Sequence, residues 1–465
     1  MAKVLTEGVK EDIKTEELLV KNGLVFTEEG FREVTIKINE GKIVSIVEDE
    51  AGPMIETTGI IDASGCLVVP GFIDAHVHFN DPGRTDWEGI ETGSCAAAMG
   101  GTTTIFDMPL NCSPSIINLQ NLLEKREYLT SLSYIDYALW GGMTGTNLNN
   151  SQELAQMSER VIGWKSFMSE SGIDDFKYLS PNELKQAMQA AKEHDKILAL
   201  HAEWENDIAR LTAINKKHPS MNERSAFLAS RPISAEEKAV CYALELAAKY
   251  GTAIHFVHIS SPKVVGLIEQ AKRSGVDVTV ETCPHYLIFD EEDFLREGAI
   301  LKCAPPLRPR VEVEGLWECL ANGMIDTIGS DHSPCLYSMK STESIWDAWG
   351  GIQGVQFTWL AMVDEALKRG VSLKQVFPLG TSNVADRFGL ADRKGRISPG
   401  LDADLVFIRL DETTAAEQES FGFRNPFSPY EGRIFSTRIK KTMLRGRVIY
   451  DDEFGMANEK LGVCL

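Results

Sequence analysis

The sequence predicts an α/β fold, a (β/α)8 TIM barrel with a smaller β-rich domain formed from both chain termini. Three observations support this prediction. The chain has 465 residues, which is enough for one large barrel and a small second domain. Its middle alternates strand-like and helix-like segments, and both of its ends contain short strand-like stretches.

Strand-like segments begin and end the chain. Near the start, apolar stretches at 19–20, 25–26, 34–38 and 43–47 are separated by Asn-Gly and Glu-Gly pairs typical of tight turns. Similar stretches return at 404–408, 442–444 and 447–450. We therefore predict one small domain made of residues 1–67 plus 399–465.

Eight candidate strands alternate with helices in the middle of the chain, which favours a parallel sheet or barrel. Helical stretches lie at 116–129, 181–193, 235–250 and 262–273. The strands are predicted at 67–79, 102–109, 134–140, 161–168, 197–203, 253–259, 276–283 and 324–330. We predict that residues 68–398 form a (β/α)8 barrel, a fold that carries its functional residues at the carboxyl ends of the strands.

The composition argues against several classes of function. The formal net charge of −21 argues against binding to nucleic acid or to an anionic membrane surface. The nine cysteines are scattered without a Cys-x-x-Cys pair, which is typical of a reducing cytoplasm. The N-terminal segment lacks the apolar core of a signal peptide, and no run approaches the ~18 apolar residues of a membrane span. We therefore predict a cytoplasmic protein.

Two histidines one residue apart end the first predicted barrel strand. Residues i and i+2 of a strand face the same side, so His76 and His78 direct two imidazoles to one point. Imidazole is a common ligand of zinc and related metals. His201, His258 and Asp331 end three further predicted strands. Each alone could be a structural residue or part of a turn, but their shared position at one end of a barrel favours a metal site.

Lys165, in the fourth predicted strand, needs a separate argument. An ammonium group beside two divalent cations is repelled, so it cannot be a ligand in that form. Its neutral amine can add carbon dioxide and form a carbamate, whose two oxygens and negative charge suit a bridge between two metal ions. An ordinary pair between Lys165 and a carboxylate is the alternative that the local sequence leaves open.

With these candidates aligned, the chain resembles the cyclic amidohydrolase branch of the amidohydrolase superfamily. The resemblance covers nearly the whole chain and is strongest in five blocks, 76–89 (HVHFNDPGRTDWEG), 107–111 (DMPLN), 165–168 (KSFM), 303–308 (CAPPLR) and 330–334 (SDHSP). It implies a β-sandwich for the small domain and a binuclear metal centre in the barrel. The implied ligands are His76, His78, Lys165 as N6-carboxylysine, His201, His258 and Asp331.

Within that branch, the blocks are most similar to those of the allantoinase family. Dihydroorotases place an arginine where this chain has Asn80, and hydantoinases place a tyrosine where it has Glu170. The resemblance implies hydrolysis of the hydantoin ring amide of allantoin to allantoate, a step of purine and ureide catabolism. A hydantoinase or dihydropyrimidinase acting on other cyclic ureides is the alternative, and an inactive scaffold homologue is a weaker one.

The resemblance also implies roles, cofactors and partners. Asp331 would act as general base and then general acid, and Asn111, Cys303 and Gly351 would contact the substrate. The cofactors would be two divalent metal ions, with zinc first and cobalt, manganese or iron as alternatives, and carbon dioxide as the lysine carbamate. The partners would be a small-molecule cyclic ureide and other copies of the chain in a homotetramer, with no nucleic acid and no membrane.

Overall fold

The structure is a computed structural model that describes residues 17–48 and 59–465. Residues 1–16 and 49–58 of the predicted small domain therefore lie outside the described residues. Among the described residues, no helix is both long and apolar enough to cross a membrane.

The strands fall into an N-terminal, a middle and a C-terminal group. The first group is β1 (Leu18–Lys21), β2 (Leu24–Thr27), β3 (Gly30–Asn39), β4 (Lys42–Glu48), β5 (Gly59–Asp62) and β6 (Leu67–Pro70). The middle group is β7 (Phe72–Val77), β8 (Thr102–Asp107), β9 (Asp136–Gly142), β10 (Gly163–Phe167), β11 (Leu198–His201), β12 (Ile254–Phe256), β13 (Val278–Thr282) and β14 (Thr327–Ile328). The last group is β15 (Leu405–Arg409), β16 (Thr414–Ala415), β17 (Ile434–Phe435), β18 (Arg438–Leu444), β19 (Arg447–Asp451) and β20 (Gly455–Met456).

The helices lie mainly between the middle strands. They are α1 (Ile90–Met99), α2 (Leu119–Leu129), α3 (Ser151–Ser158), α4 (Pro181–Glu193), α5 (Glu205–Asn215), α6 (Glu223–Ser230), α7 (Ile233–Tyr250), α8 (Pro262–Arg273), α9 (Pro284–Ile288), α10 (Glu291–Glu297), α11 (Arg310–Ala321), α12 (Thr358–Arg369), α13 (Leu373–Val376) and α14 (Ser382–Arg387). Short 3₁₀ segments lie at Gly298–Leu301, Tyr337–Met339, Phe377–Gly380 and Gln418–Ser420.

Helix α4 illustrates how the sequence specifies these elements. Ser180 caps its first turn in a reciprocal pair with Glu183, and Pro181 occupies the first helical position, where a missing N–H is harmless. Leu184, Ala187, Met188 and Ala191 are buried. Their spacing of three and four residues forms one apolar stripe that packs on the barrel.

The middle strands form an eight-stranded parallel sheet in sequential order, β7 to β14. The first strand returns to the last through a parallel bridge between Val77 and His332. Near this seam the Ser330 N–H donates to Asp74 Oδ1 at 3.1 Å. The predicted (β/α)8 barrel is therefore confirmed, and its strands end at a common rim.

Strands from both ends of the chain share a second, ten-stranded sheet. Within it, β15 pairs antiparallel with β6, and β2 pairs parallel with β6. Its buried side includes Val25, Ile36, Val68 and Leu405 in one apolar cluster. The prediction that both ends of the chain contribute strands to one β-rich domain is therefore confirmed.

The apolar run predicted as one strand at 67–79 is two strands in two sheets. It divides at Gly71, whose N–H donates to the Asp404 carbonyl at 2.8 Å. A Cβ at Gly71 would lie 2.2 Å from Thr103 Oγ1, so only glycine allows this approach. Both halves are buried, and hydrophobicity alone therefore gives no sign of the break.

Candidate metal centre and active site

The first group of candidate ligands lies where β7 ends. His76 Nε2 is 3.1 Å and His78 Nε2 is 3.4 Å from the same oxygen, Asp331 Oδ1. Asp331 follows β14, so the seam of the barrel brings these three residues together. Asp331 has a positive φ of 45°, which turns the chain immediately after the last strand.

A second pair of imidazoles lies beside the first group. His201 Nδ1 and His258 Nε2 are 3.0 Å apart, and the rings of His76 and His258 are 5.4 Å apart between centroids. Zinc ligands of this type lie about 2.0–2.1 Å from the ion, so two nitrogens at this separation suit one cation. The four histidines therefore form one continuous cluster at the carboxyl ends of the strands.

Lys165 is fully buried on β10, and its Nζ has no hydrogen-bond partner among the described residues. The ammonium lies over the Phe167 ring at 5.1 Å, and that ring stacks on His201 at 4.6 Å. Burial lowers the pKa of Lys165 to about 8, which raises the share of neutral amine. A buried lysine without a carboxylate partner does not fit the alternative of a structural ion pair.

Two buried glutamates orient the imidazoles, and neither is among the site residues predicted from the sequence. Glu281 Oε1 accepts a hydrogen bond from His76 Nδ1 at 2.7 Å, and Glu203 Oε2 accepts one from His201 Nε2 at 2.8 Å. Such partners leave the other ring nitrogen free to bind a metal. A signal was present for Glu203, because residue i+2 after His201 points the same way in a strand.

The charges of the cluster favour a cation. Burial opposes ionisation of Asp331, but the histidines outweigh it and hold the pKa of Asp331 well below its usual range. For Glu281, burial is likewise outweighed by His76 and His255, which lower its pKa to about 2. Both carboxylates are therefore negative at neutral pH, and together they outweigh burial and raise the pKa of His76 to about 9, so that a metal ion bound there would displace the His76 proton. The donor set fits divalent metal ions.

The candidate substrate contacts lie on loops around the same rim. Asn111, Cys303 and Gly351 are all buried. Asn111 Nδ2 donates to Ser333 Oγ at 3.3 Å, and a Cβ at Gly351 would lie 2.4 Å from the Ser333 carbonyl oxygen. Ser333 therefore connects two of the three candidates.

The two positions that separate this chain from sister families differ in environment. Asn80 is buried and donates from Nδ2 to the Pro334 carbonyl at 3.3 Å. Glu170 is exposed, and its backbone N–H donates to Glu205 Oε2 at 2.9 Å. The buried Asn80 side chain thus braces the loop that follows Asp331.

A second group of buried carboxylates, Asp136, Asp402 and Asp404, lies together in the fold. Lys394 Nζ is 2.8 Å from Asp136 Oδ2 and 2.6 Å from Asp404 Oδ2. Arg393 also pairs with Asp402 at 2.7 Å. Lys42 Nζ lies 2.7 Å from Asp402 Oδ1 as a third cation, so at least three positive charges offset the three carboxylates, and the group links strand β9 of the barrel to residues near the C-terminal strands.

Comparison with known proteins agrees with this geometry. The model of the Amidohydrolase family matches residues 67–449. The chain belongs to this family of hydrolases, whose members are metal-dependent.

Individual relatives and structural neighbours show which members of the family this chain resembles. An allantoinase from Bacillus velezensis is 42% identical over 438 residues, covering 94% of each chain. An allantoinase from Deinococcus radiodurans is 42% identical over 437 residues, covering 94% of this chain and 96% of the relative. The L-hydantoinase (dihydropyrimidinase) from Arthrobacter aurescens superimposes with a TM-score of 0.92 at 32% identity, covering 96% and 99% of the two chains. The predicted resemblance to allantoinases is therefore confirmed.

Proposed function

We propose that this protein hydrolyses the hydantoin ring amide of allantoin and releases allantoate. The observation that carries the proposal is the cluster of four histidines, a lysine and an aspartate at the barrel rim, in a chain 42% identical to allantoinases over 94% of its length. Other cyclic ureides are the second candidate, because a hydantoinase shares the fold at a TM-score of 0.92. The higher identity to allantoinases favours allantoin.

We assign the candidate ligands to two divalent ions. His76, His78 and Asp331 would hold one ion, and His201 and His258 the other, with zinc as the first choice of metal. Lys165 as N6-carboxylysine would bridge them, because its amine is buried, has no hydrogen-bond partner in the part of the chain that the structure describes, and lies over the Phe167 ring that stacks on His201. When bound, such ions bring the pKa of water to about 7 and polarise a carbonyl oxygen.

The protein's own groups hold and move the protons. Asp331 would accept a proton from the attacking water and deliver it to the leaving ring nitrogen, as general base and then general acid. Glu281 and Glu203 would keep His76 and His201 in the tautomers that ligate. Neither glutamate needs to touch the substrate for this role.

The substrate would be bound by loops that lie at the same rim of the barrel as the metal ligands. A hydantoin ring offers amide donors and acceptors, which suit the backbone at Cys303 and Gly351 and the side chain of Asn111. The Gly351 N–H already donates to the Lys302 carbonyl at 2.8 Å, which leaves the Gly351 carbonyl as the group for a ring N–H. The Gly351 carbonyl oxygen already accepts a hydrogen bond from Lys340 Nζ at 2.7 Å. Because a carbonyl oxygen has two lone pairs, it can accept a second hydrogen bond from the ring.

We further propose a cytoplasmic homotetramer in which residues 68–398 form the catalytic barrel and residues 1–67 plus 399–465 the small domain. Size-exclusion chromatography with light scattering tests the oligomer. A monomer of 51.5 kDa as the active species would contradict it.

The activity is tested by side-by-side hydrolysis of allantoin, hydantoin, dihydrouracil and dihydroorotate, with metal analysis of the same preparation. We expect the highest kcat/KM on allantoin and two metal equivalents per chain. A preference for dihydrouracil or hydantoin would favour the second candidate. A metal-free protein that turns over none of the four would indicate the inactive homologue.

A further inference from the structure

We propose that Lys340 is a positioning residue that fixes the substrate-reading backbone at Gly351 and thereby sets KM. The inference rests on the proposed function, because Lys340 would position a residue of the same substrate site. Lys340 lies more than ten residues before Gly351 along the chain and ligates no metal in the assignment above.

The ammonium of Lys340 is saturated by backbone carbonyls. Its Nζ donates to the carbonyl oxygens of Ala299 at 2.9 Å, Trp349 at 2.8 Å and Gly351 at 2.7 Å. Three donors thus meet three acceptors, the full capacity of an ammonium group. The residue is buried, with 8% of its surface exposed. No carboxylate pairs with it among the described residues, so the carbonyls alone compensate the buried charge.

A second lysine ties the same two segments together. Lys302 Nζ donates to the Ala348 carbonyl at 2.6 Å and to the Trp346 carbonyl at 3.3 Å. The Lys302 carbonyl in turn accepts the Gly351 N–H at 2.8 Å. Residues 346–351 are therefore bound to residues 299–302, the stretch that leads directly into Cys303.

The hydrogen bonds of Lys340 and Lys302 lie where they would affect substrate binding as well as folding. Two of the three proposed substrate contacts, Gly351 and Cys303, lie in or next to the two segments that these bonds join. The third, Asn111, is reached through Ser333, which packs against Gly351 and accepts the Asn111 amide hydrogen. A shift of Gly351 would therefore disturb all three contacts, whereas none of the three Lys340 hydrogen bonds reaches Asp331 or the candidate histidine ligands.

The test is steady-state kinetics of Lys340→Met, which keeps an unbranched side chain out to Cε and removes the ammonium. We expect KM for allantoin to rise at least tenfold, which corresponds to about 1.4 kcal/mol of lost binding, with kcat within threefold of wild type and metal content unchanged. Loss of groups that bind ground and transition states equally raises KM in this way.

Lys196→Met is the matched control. Lys196 Nζ also donates to a backbone carbonyl, that of Val161 at 2.9 Å, but both residues precede their barrel strands and lie at the opposite end. We expect the control to lower thermal stability without changing KM. Equal KM values for wild type, Lys340→Met and the control would overturn the proposal, as would a fall in kcat at unchanged KM.

A second variant, Lys340→Arg, tests the same role if Lys340→Met does not fold. Lys340→Arg keeps the positive charge but spreads its donors over a planar fork. If Lys340→Met does not fold, Lys340→Arg must raise KM at least threefold with the metal retained, and a wild-type KM would refute the role. Failure of the proposed function is seen separately, because the wild-type protein would then hydrolyse none of the four test substrates.

Discussion

Glu203→Gln is the sharpest test of how the metal ligands are held. Glu203 is fully buried and binds His201 Nε2 at 2.8 Å and Arg231 Nε at 3.1 Å. Burial alone would raise its pKa, but Arg231 and His201 outweigh burial and lower the pKa of Glu203 to about 2. The carboxylate is therefore ionised at any working pH, and glutamine removes a full charge while keeping the shape.

Two magnitudes follow from that geometry. Loss of a carboxylate that orients a ligating histidine weakens metal binding about 10–100-fold, or roughly 1.4–2.7 kcal/mol. Arg231, whose side chain is 14% exposed, loses its ionised partner. Breaking a buried ion pair costs about 3–5 kcal/mol, and we expect the lower end because the amide oxygen still accepts a hydrogen bond.

The assay is zinc titration of the metal-free protein against a chromophoric chelator, with thermal unfolding of the same samples. Glu314→Gln is the control, since Glu314 pairs with Arg369 on the surface and its side chain is 48% exposed. That change should cost less than about 1 kcal/mol and leave metal affinity unchanged. Wild-type zinc affinity in Glu203→Gln would refute the reasoning.

Three further predictions concern single side chains. Asp331→Asn should keep much of the metal and lower kcat about 10²–10⁴-fold, because the proton carrier is lost; near wild-type kcat would exclude that role. Lys165→Ala should bind less metal by elemental analysis, and added short-chain carboxylates should partly restore activity; full activity without them would argue against the carbamate. Burial first, and then the neighbouring Lys340 ammonium, lower the pKa of Lys302 to about 7. The unfolded chain keeps that proton up to about pH 10.4, so the wild-type protein gains stability from Lys302 as pH rises between those values. The melting temperature of Lys302→Met minus that of wild type should therefore fall from about pH 7 to pH 10, and a constant difference in calorimetric scans would contradict the assignment.

The fold and the candidate ligands could be predicted because each depends on a local pattern. Alternation of strands and helices gave the barrel, and the spacing of His76 and His78 gave their common direction. The ends of β11 and of β14 placed His201 and Asp331 at the same rim. Local periodicity thus determines which face and which end of an element a residue occupies.

Partners that come from elsewhere in the chain could not be predicted in this way. Glu281 meets His76 across 205 residues of sequence, and periodicity does not encode that pairing. The division at Gly71 depends on the Thr103 side chain, which the apolar run itself does not contain. The acceptors of Lys340 are backbone carbonyls. Every residue type has a backbone carbonyl, so the sequence does not show which of them Lys340 contacts.

The structure separates two kinds of support around one site. Side-chain carboxylates hold the imidazoles, as Glu281 holds His76 and Glu203 holds His201. Lysines on backbone carbonyls hold the loop that would read the substrate, as Lys340 holds Gly351. Because the two sets share no hydrogen bond among the described residues, metal binding and ring recognition are supported by different contacts. We therefore expect a change that removes a lysine from the Gly351 loop to alter substrate binding more than metal affinity, and a change at Glu203 or Glu281 to do the reverse.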